Sequence, residues 1–168
     1  MKSETSAQHQ KEASKELSCG IITLSDSRKS EKLDLSGKLI AEEIDARYTL
    51  KSKKLIPDEA DDLINTIENM ISNGIDVILT TGGTGLDTRD ITVETVESLF
   101  EKKIDGFGEL FRTKSFEEIG SAALLSRATA GVYKKTIIFS MPGSPNAVKT
   151  ALNLIIEELP HFVHHLKK

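Results

Sequence analysis

The sequence predicts an α/β layered fold with a mainly parallel sheet, on three observations. The segments 19-CGIITL-24, 75-IDVILTT-81 and 136-TIIFSM-141 are apolar almost throughout, as strands covered on both faces must be. Segments with a single apolar face lie between them, the pattern of helices laid over a sheet. The loops that leave these strands, 25-SDSR-28, 80-TTGGTG-85 and 142-PGSP-145, are made of small and hydrogen-bonding residues. In parallel sheets the strand-to-helix loops share one edge, and ligands bind outside the carboxyl ends of the strands.

Each element follows from local pattern. The first strand, Cys19 to Leu24, breaks into the polar 25-SDSR-28. Leu35, Leu39, Ile40 and Ile44 recur at helical spacing. A less apolar strand, 49-TLKSKKLI-56, stops at Pro57. In 58-DEADDLINTIENMISNG-74, Leu63, Ile64, Ile67, Met70 and Ile71 fall on one helix face, and Gly74 stands where a left-handed cap belongs. The strand at 75–81 runs into the glycine loop, and Val93, Val96, Leu99 and Phe100 mark the next helix. Residues 104–131 predict two short helices around Ser115, then a helix from Ser121 to Ala130 closed by Gly131. After the strand at 136–141, Ser144 caps and Pro145 opens a long helix, Asn146 to Leu159, which Pro160 stops.

Composition narrows the function. The chain has 168 residues, 38% hydrophobic and 29% charged, which suits one domain. Net charge is −4, which argues against nucleic acid or anionic membrane as a partner. Residues 1–16, polar and poor in bulky side chains, predict a disordered tail ahead of a folded domain over 17–168. Nothing there has the apolar core of a signal peptide, and a single cysteine, Cys19, fits a reducing compartment, so the expected location is cytoplasmic. Cys19 lies in an apolar run and reads as a small buried hydrophobe.

The chemistry concentrates in the loops. In 82-GGTG-85 the glycines clear side chains away and permit positive φ, so successive N–H groups can converge on an anion beside a helix N-terminus. No Lys-Ser or Lys-Thr follows, as a Walker loop requires, and the third glycine of a dinucleotide fingerprint is missing. Asp90 either caps the next helix, a task Thr92 can also fill, or holds a hydrated Mg²⁺ beside bound phosphate. Arg89 pairs with a carboxylate or with phosphate. Asp58 and Asp26 each end a strand, where a helix cap and an Asx-turn are the plain alternatives. The histidines of 161-HFVHHLKK-168 have no acidic or cysteine partner nearby in sequence and read as a solvated helix end.

Taken together, TTGGTGLDTRDIT, the Pro57-Asp58 pair, GFGELFR, SRATAG and MPGSPNAV resemble the MoaB/Mog family of molybdenum-cofactor biosynthesis, and are similar to the gephyrin G domain, from about Leu17 to Leu166. The resemblance implies a three-layer α/β/α fold and an adenylyltransferase. Its reaction is Mg²⁺-dependent transfer of AMP from ATP to the terminal phosphate of molybdopterin, with release of pyrophosphate. It implies Asp58 and Asp90 as catalytic aspartates, Asp90 also at the metal, and Thr81, Gly82, Gly83, Thr84, Gly85 and Arg89 at the nucleotide phosphates. Ser25, Asp26, Ser126, Arg127, Pro142, Gly143, Ser144 and Asn146 fall to the molybdopterin side. A homotrimer or hexamer is implied, with a molybdate-insertion protein as downstream partner. A molybdopterin carrier without catalysis and a nucleotide hydrolase on the same fold stand as alternatives.

Overall fold

In the computed structural model, which describes residues 17–28 and 30–168, the strands join into a six-stranded sheet of order β2-β1-β3-β6-β5-β4. The expected tail at 1–16 lies outside the described residues. Strands β1 (Ser18–Leu24), β2 (Thr49–Ile56), β3 (Val77–Thr81) and β6 (Thr136–Met141) run parallel. β5 (Thr129–Tyr133) and the short β4 (Lys102–Lys103) extend the sheet antiparallel.

Strand alternation sorts the core into two apolar layers. Cys19, Ile21, Val77, Leu79, Ile137, Phe139 and Met141 face one side. There they pack against α1 (Leu35–Asp45), α4 (Asp105–Ile119), α5 (Pro145–Ile155) and α6 (Leu159–Leu166). Ile22, Leu24, Ile78 and Ile138 face the other, against α2 (Ala60–Ser72) and α3 (Thr92–Leu99). Three layers result. β2 stands at one edge and turns lysines outward, Lys51 and Lys54 being exposed, which discourages pairing with another chain. Gly74 has φ +72, as its place after α2 requires.

The sequence misleads in two regions. The helices expected around Ser115 are one helix, α4, because Ser115 turns inward and is buried rather than breaking the run. Gly120, at φ +63, ends it. The helix expected from Ser121 to Ala130 does not form: a 3₁₀ turn, Gly120–Leu125, leads instead into β5. β5 and β6 make a hairpin whose turn residues, Lys134 and Lys135, have φ 46 and 61. Such a turn normally carries Asn or Gly, so the sequence hides it. Lys134 is held there by Glu68, with Nζ 2.9 Å from Oε2. Gly131 closes no helix; a Cβ there would meet the Phe100 ring at 2.3 Å. The last helix also ends earlier than expected, at Ile155, and Pro160 sits in the first turn of α6, where a missing N–H costs nothing.

Candidate functional site

The carboxyl ends of β1, β2, β3 and β6 lie along one edge of the sheet. β5 runs the other way, so its entry, Ser126 to Ala128, reaches the same edge. β1 is the switch point, with β2 on one side and β3 on the other, the place at which sheets of this kind take their ligands.

The glycine loop is wedged between its neighbours. Gly82 donates its N–H to Met141 O at 3.1 Å and Thr81 Oγ1 donates to Pro142 O at 3.1 Å, which fastens the loop to 142-PGSP-145. Thr92 Oγ1 donates to Gly82 O at 2.8 Å, so Thr92 ties the loop down and caps nothing. Gly82 and Gly83 have φ +94 and +66. A Cβ on Gly82 would stand 2.3 Å from Leu24 O, and one on Gly83 would meet Thr92 Oγ1 at 2.3 Å and Asp58 Oδ1 at 2.8 Å. At Gly85 the added carbon would meet Asp90 Oδ2 at 2.4 Å. The loop therefore rests directly on two carboxylates, and glycine is needed for that approach.

Asp58 does not cap α2, whose first turn has no side-chain cap. It pairs with Asp26 through reciprocal bonds: Asp26 N donates to Asp58 Oδ2 at 2.9 Å, and Asp58 N donates to Asp26 Oδ1 at 3.0 Å. Its other oxygen, Oδ1, is shielded from solvent and has no hydrogen-bond partner among the described residues. Desolvation, then the charges of Asp26 and Asp90, hold the Asp58 carboxyl above its ordinary range. Asp90 accepts from Asp87 N at 3.0 Å.

Arg89 bridges loops, its Nε 2.9 Å from Asp26 Oδ2 and its Nη2 2.8 Å from Glu59 Oε1. The hydrogen bond from Arg89 holds the exposed Asp26 carboxyl below its usual range, and the Asp58 N–H adds to this. Arg127 reaches under the glycine loop from the β5 side, donating to Thr84 O at 3.0 Å and Gly85 O at 2.6 Å and pairing with Glu94. Ser126 and Arg127 also line a cavity of about 380 Å³ with Arg112, Glu97 and Thr129. Ser144 caps α5, accepting from Ala147 N at 3.2 Å, while Asn146 is exposed in its first turn. Ser25 Oγ accepts from Arg28 N at 3.1 Å.

Sequence reasoning missed a buried cluster behind the loop after β6. Asp34, which is 1% exposed, caps α1 by accepting from Gly37 N at 2.9 Å, and accepts from Thr23 Oγ1 at 2.7 Å. Ser36 Oγ donates to Gly143 O at 2.5 Å. The readable signal was an Asp immediately before an apolar-periodic run, a helix-start mark.

The donor set fits a small hard cation that keeps phosphate among its ligands. Among the described residues no cluster of three or more His, Cys, Asp or Glu could hold a metal alone. Two carboxylates beside a glycine loop, one with an orphaned oxygen, match how Mg²⁺ is shared between protein and a phosphate-bearing substrate.

The family described as "Probable molybdopterin binding domain" matches residues 20–161. The molybdopterin adenylyltransferase of Pyrococcus furiosus is 43% identical over 166 residues, covering 96% of this chain and 98% of that one. Molybdenum cofactor biosynthesis protein B of Bacillus subtilis is 44% identical over 165 residues, covering 96% of each. The crystal structure of the tungsten cofactor synthesizing protein MoaB from Pyrococcus furiosus superposes with TM-score 0.86 at 43% identity, covering 92% of this chain and 99% of that one.

Proposed function

The chain belongs to the family of probable molybdopterin binding domains, and from that premise we propose that it is a molybdopterin adenylyltransferase of molybdenum-cofactor biosynthesis. It moves AMP from ATP to the terminal phosphate of molybdopterin. An oxygen of that phosphate bonds to the α-phosphorus of ATP, the bond to the β-phosphate oxygen breaks, and pyrophosphate leaves. The observation that carries the reading is the contact of the glycine loop with two carboxylates, Gly83 on Asp58 and Gly85 on Asp90.

The reaction joins two anions, so its barrier falls chiefly through positioning and charge neutralisation. Backbone N–H groups of Gly83 to Gly85 face the nucleotide phosphates with Thr81 and Thr84 behind them, while the Gly82 N–H holds the loop to Met141 O and Arg127 fixes it through its carbonyls. Arg89 keeps Asp26 and Glu59 in place, and its Nη1, which has no hydrogen-bond partner among the described residues, is left for phosphate. Asp90 with Asp58 would hold magnesium together with phosphate oxygens, and when bound the ion supplies the positive charge this acidic edge lacks. The raised pKa of Asp58 supports this role, because a carboxylate strained by desolvation and like charge is relieved by a cation. Ser25, Asp26, Ser126, Arg127 and the loop Pro142, Gly143, Ser144 and Asn146 form the acceptor side.

Assembly is part of the proposal. Leu110, Phe116, Ile119, Leu124 and Leu125 are exposed on α4 and the turn after it, an apolar surface suited to further copies of the chain in a trimer or hexamer. No helix among the described residues is long and apolar enough to cross a membrane. A cytoplasmic site of action and hand-over of product to a molybdate-insertion protein belong to the same reading. The test is incubation with molybdopterin, ATP and Mg²⁺ followed by chromatography. Adenylyl-molybdopterin and pyrophosphate appear together, and neither forms without Mg²⁺. Molybdopterin bound with no ATP consumed would make the chain a carrier, and ATP turned over without molybdopterin a hydrolase.

A further inference from the structure

Four arginines stand at the site: Arg112, on α4, lines the cavity beside Arg127 and donates to Ala128 O at 3.3 Å, and the three on the loops differ in their surroundings. The charge of Arg89 is met by Asp26 and Glu59, and that of Arg127 by Glu94. Arg28 is held far more loosely. Its Nη1 lies 3.4 Å from Asp34 Oδ1 and its Nη2 lies 3.5 Å from Gly143 O, both at the long limit of a hydrogen bond. The oxygens of Asp34 are already engaged at shorter range by Thr23 and Gly37, and a second cation, Lys53 Nζ, stands 3.6 Å from Oδ2. Two cations thus share one buried carboxylate, leaving one positive charge in surplus. The Arg28 side chain is 26% exposed, so it reaches solvent beside Gly143 while Asp34, wholly buried, anchors it from behind.

The location gives this surplus a purpose. Asp26, Asp58, Glu59, Asp87 and Asp90 make the rest of the edge acidic, so an anionic acceptor meets repulsion unless a cation stands on its own side. Gly143 O is where Arg28 and Ser36 converge, tying the start of α1 to the loop after β6. We propose that Arg28 binds the phosphomonoester of the acceptor, its guanidinium fork taking phosphate oxygens beside Gly143 while Asp34 anchors it from behind. The proposal rests on the adenylyl-transfer reading for the identity of the acceptor. Arg28 makes and breaks no bond; it binds and orients.

The experiment pairs Arg28→Gln with Arg28→Lys. Molybdopterin is titrated by its fluorescence without ATP, and KM is then measured for each substrate in turnover. Arg28→Gln weakens molybdopterin binding about 10- to 100-fold, the worth of charge-assisted bonds to phosphate. It leaves the KM for ATP within about twofold. Arg28→Lys recovers part of the loss, since it keeps the charge and loses the fork. Unchanged molybdopterin affinity in Arg28→Gln overturns the proposal. So does an equal loss for both substrates with a fallen melting temperature and no recovery by lysine, which marks a structural role. Wild type that binds molybdopterin without forming product sinks the transferase reading alone, and the titration still decides Arg28. Wild type that binds no molybdopterin overturns both.

Discussion

Replacing Gly82 with alanine tests whether the glycine loop is built by close approach. Gly82 has φ +94, and its new Cβ would lie 2.3 Å from Leu24 O, a backbone atom inside the β1 edge that cannot swing aside. Left-handed backbone costs an alanine about 1–2 kcal/mol. Forcing a methyl into packed surroundings adds about 1–3 kcal/mol. A chain of this size loses about 2–4 °C of melting temperature per kcal/mol, so the drop should be about 4–20 °C. Gly106 is the matched control, because no atom lies within 4 Å of its added Cβ and its φ is not positive. Gly106→Ala, in the first turn of α4, should leave the melting temperature unchanged or raise it by up to about 4 °C. Calorimetry on wild type and both variants gives the comparison. A Gly82→Ala protein melting within about 2 °C of wild type would mean that the loop is not built by close approach and has room for a methyl group.

Other predictions follow from particular side chains. The Asp58 carboxyl titrates higher in the folded chain than in the unfolded one, because of desolvation and then the charges of Asp26 and Asp90. The native state therefore binds that proton more tightly, and stability falls as pH rises from the unfolded value, near 3.9, through the raised folded one. Asp58→Asn should melt higher than wild type at pH 7, the gap closing near about pH 3.5, while adenylyl transfer is lost throughout. The Cys19 thiol is pushed up to about 12 by burial and then by Asp76, so a disulfide reagent at neutral pH should label the native protein no faster than it unfolds. Phe111, wholly buried in the larger core layer, should cost about 3–5 kcal/mol when cut to alanine, read as a lower denaturant midpoint with little change in slope.

What the sequence revealed and what it hid divide along the range of the interactions involved. The parallel strands were legible because burial on both faces leaves unbroken apolar runs, and α2 because Leu63, Ile67 and Met70 mark one face with Gly74 after it. β5 was not legible. Its hairpin turns at Lys134 and Lys135, both at positive φ, and Lys134 is held there by a long-range pairing with Glu68 that local pattern cannot display. Gly131 gave a helix-end signal when its actual task is to clear room for Phe100.

The candidate site follows the same division. The loops that meet at the sheet edge were readable from small residues at strand ends. Their cross-links were not: the reciprocal bonds of Asp26 and Asp58, and the grip of Arg127 on Thr84 and Gly85, join residues 32 to 43 positions apart. Asp58 read more plainly as a helix cap, and only the fold shows its free oxygen turned toward Gly83. The Arg28–Asp34–Ser36 cluster was missed because each member alone has an ordinary local use, in a turn or at a helix start.

The most direct test of the account is adenylyl transfer by Asp90→Asn. Asp90 touches the glycine loop at Gly85, and asparagine keeps its size and its acceptor for Asp87 N while removing the charge. The variant should melt as wild type does and still bind molybdopterin, yet form adenylyl-molybdopterin at least about 100-fold more slowly. Wild-type rates in that variant would contradict this, and would move the chemistry away from the carboxylates beneath the loop.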